Sequence, residues 1–135
     1  MVKNSNTMKK IFSIILLTLL ADIVCLSQTF YIEKTTEGYE QPIIDKLLEL
    51  NQKITAKQET SDYTIQCIIS NKGGWGVPAE GRIIILESKT GNVLLKSNSA
   101  KAMVNMFRGF QNPRFLIMKK IAKDYLHELL LQLKR

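Results

Sequence analysis

Few side chains in this sequence have the types and spacing that chemistry demands. His127 is the single histidine, three residues after Asp124 in 124-DYLHELL-130. A carboxylate that orients an imidazole makes a general base, but such a base also needs a nucleophile and a cleft. Residues three apart on a helix are surface neighbours, so a surface contact accounts for the pair and no catalytic role is assigned. Two cysteines are present, Cys25 and Cys67. Cys67 lies mid-strand among apolar neighbours and is expected to be a buried, inert thiol. One histidine, one such cysteine and no clustered carboxylates are too few ligands for a metal. Glu37, Glu40, Asp45 and Glu49 are spread over a loop and a helix, where solubility explains them. No catalytic residue, metal or cofactor is therefore expected, and the chain does not read as an enzyme.

Two stretches have the composition of contact sites instead. The first is Gly73-Gly74-Trp75-Gly76, holding the only tryptophan. It lacks the Lys-Ser/Thr of a phosphate loop and the glycine spacing of a dinucleotide site, and it joins strand to strand. Trp75 either packs over a sheet edge or stands exposed as an anchor for a partner or a sugar ring. The second is 100-AKAMVNMFRGF-110, where Met103, Met106, Phe107 and Phe110 recur as on one side of a helical turn. It reads as a short helix or flap across the sheet, or as an exposed apolar loop for a partner or a membrane surface. Trp75, Met103, Met106, Phe107 and Phe110 are the candidate binding residues. A small ligand or glycan held between the glycine-rich loop and Met103–Phe110 is the alternative reading.

The amino terminus has the pattern of an export signal. Lys9 and Lys10 precede an apolar run from Ile11 to Ala21, ended by Asp22. That run is well short of the ~20 residues a membrane-spanning helix needs. A basic start, a short apolar core and small exit residues describe a secretory signal peptide. Cys25 and Ser27 fit the third and first positions before a cut, which places cleavage between Ser27 and Gln28. Residues 1–27 are then the signal peptide and 28–135 a single domain. Lipidation of Cys25 is disfavoured, because Ile23 and Val24 are bulkier than the small residues that precede a lipidated cysteine. The expected location is the periplasm or the exterior. After cleavage Cys67 stands alone, so no intrachain disulfide can form.

Charge is uneven along the remaining chain. Residues 28–135 hold 16 basic and 11 acidic side chains, a net of +5. Residues 28–88 hold six basic and nine acidic, a net of −3; residues 89–135 hold ten basic and two acidic, a net of +8. A one-sided positive field favours an anionic partner. Nucleic acid is not expected, since an exported protein rarely meets it and stacking aromatics are not interleaved with the basic residues.

The elements that must position these residues follow from periodicity. The run 29-TFYIEK-34 alternates Phe30 and Ile32 against Tyr31 and Glu33, a strand. Pro42 opens a helical pattern through Ile43, Leu47, Leu50 and Ile54, predicting a helix from Gln41 to Ala56. In 63-YTIQCIIS-70, Tyr63, Ile65, Cys67 and Ile69 share one face of a second strand. Strands at Gly81–Glu87 and Asn92–Ser97 flank Ser88-Lys89-Thr90-Gly91, a tight turn that Gly91 closes with a positive φ. Ile83-Ile84-Ile85-Leu86 is apolar on both faces, so something must cover the second face. Asn112 and Pro113 cap a closing helix of about 22 residues, on which Phe115, Met118, Ala122, Tyr125, Leu129 and Leu133 form a stripe, widened by Ile117, Ile121, Leu126 and Leu130. The predicted fold is α+β, a two-layer sandwich with a mainly antiparallel four-stranded sheet (β-α-β-β-β-α) and both helices on one face.

With these elements placed, 62-DYTIQCIIS-70 and 82-RIIILESKTGNVLLKSNSAKA-102, followed by an amphipathic helix, resemble a group of small bacterial envelope α/β domains. That group includes periplasmic and outer-membrane lipoprotein families and the α/β domains of the curli secretion channel CsgG and of the TolB N-terminal region. The shared features are an aspartate–aromatic pair opening a strand, here Asp62-Tyr63, and a hairpin like Glu87-Ser88-Lys89-Thr90-Gly91-Asn92-Val93. The leader that ends before Gln28 is similar to those of Bacteroidetes. The resemblance implies a non-enzymatic interaction or assembly module of the periplasm or outer membrane. Its expected partner is an envelope protein or an acidic surface, and peripheral membrane contact and oligomerisation are compatible with it.

Overall fold

The computed structural model describes Lys10 and residues 28–74, 76–103 and 112–135. The proposed leader, apart from Lys10, therefore lies outside the described residues, as do Trp75, Val104, Asn105, Met106, Phe107, Arg108, Gly109, Phe110 and Gln111. The chain forms β1 (Thr29–Ile32), α1 (Gln41–Glu49), β2 (Lys53–Ile54), a 3₁₀ turn (Gln58–Thr60), β3 (Tyr63–Asn71), β4 (Ala79–Glu87), β5 (Val93–Lys96) and β6 (Ala100–Ala102). A closing helix follows as α2 (Pro113–Ile121), a wider π-helical turn (Ala122–Leu126) and α3 (His127–Leu133).

The class is α+β, and the sheet is mixed. Its order is β2-β1-β3-β4-β5, with β6 also on β4. β1 runs parallel to β2 and β3, while β4 is antiparallel to β3, β5 and β6. Among the described residues six strands replace the four expected. β6 occupies the stretch of β4 that β5 leaves uncovered: β5 pairs with Ile84–Leu86 and β6 with Ala79–Gly81 on the same edge. Between them Ser97 bridges the gap, its Oγ accepting from Ile83 N–H at 2.9 Å and its N–H donating to Ile83 C=O at 3.0 Å. Ala100–Ala102 is thus a strand, not the start of a helical flap. A short strand of small residues fits there because Ala100 packs into the core, 2% exposed, while Lys101 faces Glu80 at 3.7 Å.

α1 ends seven residues before the expected Ala56. Asn51 turns left-handed, with φ 54°, and Asn51 and Gln52 donate back to the carbonyls of Leu48 and Leu47. Asn tolerates that conformation and stops the helix. Ile54, which falls on the helical spacing, instead pairs with Phe30 in β2.

One face of the sheet carries the core. Phe30, Ile32, Ile65, Cys67, Ile83 and Ile85 meet Ile43 and Leu47 of α1 and Ile117, Met118 and Ile121 of α2. The closing helix comes close at Gly81: a Cβ there would lie 3.1 Å from Ile117 Cγ2 and 2.7 Å from Ile68 O. The π turn changes the phase of the closing helix. Its i→i+5 spacing stacks Leu126 beneath Ile121, so Leu126 is fully buried and Tyr125 only half-buried. Asn112 caps this helix, its Oδ1 accepting from Arg114 N–H at 3.0 Å. On the opposite face of the sheet, Ile68, Ile84 and Leu86 are half-buried and Val93 is exposed.

Candidate functional site

One end of the sheet, at the carboxyl ends of β1 and β3, gathers the loops. The residues leaving β1 build the first wall. Glu33 N–H still donates to Ile65 C=O at 3.0 Å, but the chain then turns away. The buried carboxylate of Glu40 holds that turn: its Oε2 accepts from Thr35 N–H at 3.2 Å and from the Thr35 hydroxyl. The Thr35 Oγ1 also accepts from Tyr39 N–H at 3.0 Å, and Gly38 takes a positive φ of 69° to complete the turn. A buried carboxylate whose oxygen accepts two hydrogen bonds from one residue is a rigid fixture.

This wall and the edge of β3 bound a cleft of about 330 Å³, lined by Glu33, Lys34, Thr35, Thr36, Tyr39 and Gln66–Ile68. Across its mouth Gln66 Nε2 donates to Glu33 Oε2 at 2.7 Å. Burial and the nearby Glu40 and Glu33 charges push the Cys67 thiol up to about 12, so it stays protonated at neutral pH. Burial likewise raises the Tyr39 phenol above its usual range. Beside the cleft, Arg114 and Asn112 both bond to the Glu37 carboxylate, which ties the loop to the closing helix. Hydrogen bonds from Asn112 and then Arg114 hold the Glu37 carboxyl below its usual value.

The glycine-rich loop lies at the same end. Gly74 and Val77 exchange backbone hydrogen bonds at 3.0 and 3.2 Å, folding the loop back before β4. Gly73 is required there: its φ is 74°, and a Cβ would sit 2.8 Å from Ala79 N. The pairing of Ala79 with Ala102 then brings Met103 alongside this loop. Val77 is 50% and Met103 55% exposed. The structure places Val77 and Met103 at the same end of the sheet, each just outside the β4–β6 pairing. Trp75, Met106, Phe107, Phe110 and Ser27 lie outside the described residues, and Gln28 is half-buried just before β1. The cleft is lined by neither Met103 nor the glycine-rich loop, so it is not the pocket that the ligand-binding alternative requires.

His127 is exposed at the start of α3, and no hydrogen bond to it is formed among the described residues. Among these residues no three His, Cys, Asp or Glu side chains cluster as a metal site would need, and no helix is long and apolar enough to cross a membrane. At the other end of the sheet, sequence reasoning missed a clamp. The Asp62 carboxylate accepts from Thr29 N–H and the Thr29 hydroxyl, both at 2.8 Å, while Asp62 N–H donates back to Thr29 Oγ1 at 3.0 Å. This gives the aspartate before Tyr63 a positioning role: it pins the start of β1 to β3.

No family model matches the sequence, and no curated protein matches it. Solved structures do show similar chain paths. A minor lipoprotein from Acinetobacter baumannii is 10% identical with a TM-score of 0.48, covering 79% of this chain and 95% of its own. Lipoprotein B from Nitrosomonas europaea is 11% identical with a TM-score of 0.44, covering 78% and 81%. Lipoprotein GNA1162 from Neisseria meningitidis is 9% identical with a TM-score of 0.40, covering 73% and 99%. These likenesses carry no residue role over to this chain, and they do not single out CsgG, TolB or Bacteroidetes.

Proposed function

We propose that this chain is an exported protein of the bacterial cell envelope that works by binding another protein and turns over no substrate. The leader pattern of Lys9-Lys10, the apolar run to Ala21 and the small exit residues supports export. The observation that carries the binding reading is the loop end of the sheet. There Val77 and Met103 are both exposed, at the end of the β4–β6 pair that carries Lys101 and Glu80. Soft and aliphatic side chains ringed by charge make an adaptable contact surface. Trp75 belongs to the same loop and is the anchor this reading assigns to the partner.

Cleavage is placed after Ser27, with Cys25 unmodified. Fractionation of producing cells and intact mass of the recovered chain test the address. A chain starting at Gln28 in the periplasmic or envelope fraction is expected. A chain that starts at an acylated Cys25 replaces free export with a membrane anchor, and a cytosolic chain keeping all 27 leader residues overturns the assignment. For the contact surface, a photo-crosslinking residue at Met103 or Val77 should trap a discrete adduct in living cells, and one at exposed Lys134 should not. Equal labelling at all three positions refutes the surface.

A further inference from the structure

We propose that the cleft between the Glu33–Tyr39 wall and β3 is a strand-addition site, which takes an extended peptide segment of a partner protein into the lane that β1 vacates. This rests on the reading of the chain as a binding module and names what it binds. Part of the β3 main chain has no partner on this side among the described residues. Residues opposite each other in an antiparallel pair exchange either both hydrogen bonds or none, in alternation. Ile83 stands opposite Cys67, and its N–H and C=O are both engaged by Ser97 on the far side. Cys67 and Ile83 are thus a pair without mutual hydrogen bonds, so the N–H and C=O of Cys67 point away from β4. The same phase holds at Ile65, whose C=O accepts from Glu33, and by alternation at Ile69.

In a parallel ladder continuing β1, Thr35 N–H is the next donor, to Cys67 C=O. Thr35 instead donates to the Glu40 carboxylate, and the chain leaves the sheet. Among the described residues, nothing takes its place along Cys67–Ile69, and the cleft opens at that point. Donor and acceptor pairs repeat on this edge every second residue, ~6.6 Å apart at ~3.3 Å per residue. An extended main chain matches that spacing, which is how strand addition recognises peptides without reading much sequence. The polar lining of Thr35, Thr36, Gln66 and Lys34 suits a peptide backbone better than an apolar small molecule.

Amide hydrogen exchange on ¹⁵N-labelled protein tests this directly. In the free protein the Cys67 and Ile69 amides should exchange on the order of 100-fold faster than the Ile68 amide, which faces β4. An acetylated and amidated threonine–valine alternating hexapeptide is the probe. It should slow exchange at Cys67 and Ile69 at least tenfold, while its twin with N-methylated amides on one edge should not. Cys67 and Ile69 amides as protected as Ile68 in the free protein, no slowing by the peptide, or protection that rises with protein concentration alone would each overturn the site. Crosslinking at Met103 and Val77 is independent of these results, so the binding reading and this site fail separately.

Discussion

Replacing Gly81 with alanine tests the close approach of the β3 backbone to that residue. A Cβ built on Gly81 would approach Ile68 O to 2.7 Å, Ile69 Cδ1 to 2.9 Å and Ile117 Cγ2 to 3.1 Å. The last two are ends of flexible side chains and can rotate, at roughly 0.5–1.5 kcal/mol for a side chain forced off its preferred rotamer. The Ile68 oxygen cannot rotate, because it belongs to the backbone of the β3–β4 ladder. A carbon–oxygen contact needs about 3.3 Å, so the strands or the helix must part by roughly 0.6 Å. Overpacking of this kind costs ~1–3 kcal/mol, and the entropy that alanine removes from the unfolded chain offsets only ~0.4–1 kcal/mol of it. A net loss of about 1–2 kcal/mol corresponds to a fall of roughly 4–16 °C in Tm for a domain of this size. Urea unfolding followed by circular dichroism should show a lower midpoint at unchanged slope. Gly74→Ala is the control, since nothing lies within 4 Å of its added Cβ and its φ is not positive. If Gly81→Ala unfolds at the parent midpoint, the close approach of the β3 backbone to Gly81 is refuted.

Three further outcomes follow from the groups that hold the site. Cys67 is raised from its ordinary 9.0 to about 12 by burial first, so its contribution to stability is complete below pH 9 and is lost as pH climbs through 12. The loss is at most about 1.4 kcal/mol per pH unit; urea midpoints between pH 8 and 10.5 should fall for the parent and flatten for Cys67→Ala. The raised Tyr39 phenol acts in the same direction above pH 10, and Tyr39→Phe separates the two. Asp62→Ala should cost about 1–2 kcal/mol, the worth of charge-assisted bonds at a partly open site. Asp62→Asn, which keeps an acceptor, should cost less, with equal losses for both counting against the Thr29 clamp. Arg114→Ala should let the Glu37 carboxyl titrate at higher pH by NMR, and an unmoved titration would show that Arg114 does not hold the loop.

The four strands read from the sequence are present; β1, β3 and β4 each bury one face, and a period of two survives in the sequence wherever one side is wet. β2 and β6 were invisible, being two and three residues long. No local pattern marks them, since each exists only because a longer strand offers a free edge. The overrun of α1 to Ala56 came from Ile54, an apolar residue at helical spacing that serves a strand instead. Asn51 before Gln52 was the available signal, as an αL-tolerant residue just past an apolar stripe. The π turn leaves no composition mark, yet it decides that Leu126 rather than Tyr125 is fully buried. At the site, sequence named Met103 and the glycine-rich loop as contact candidates, but the common end of the sheet shared by Met103 and Val77 depends on the Ala79–Ala102 register, which needs the fold. The cleft was out of reach for the same reason. It arises where a chain leaves a sheet, and nothing local says which neighbour it deserts.

That departure also explains why an open edge can be tolerated here. Exposed strand edges invite indiscriminate pairing, and proteins guard them with charge, brevity and cover. The edge along Cys67–Ile69 is short, sits in a cleft and is flanked by Glu33 and Lys34, whereas an aggregating neighbour would need a long flat approach. Had Thr35 continued the ladder, the edge would close and the cleft would vanish. A buried carboxylate is an expensive way to turn a loop, since burying Glu40 needs every oxygen contact satisfied. A serine or asparagine could turn the chain at less cost. The carboxylate takes both the amide and the hydroxyl of Thr35, so the strand cannot slip back into register. Glu40 is therefore better explained as the residue that keeps a lane of β3 open than as one that merely shapes a turn.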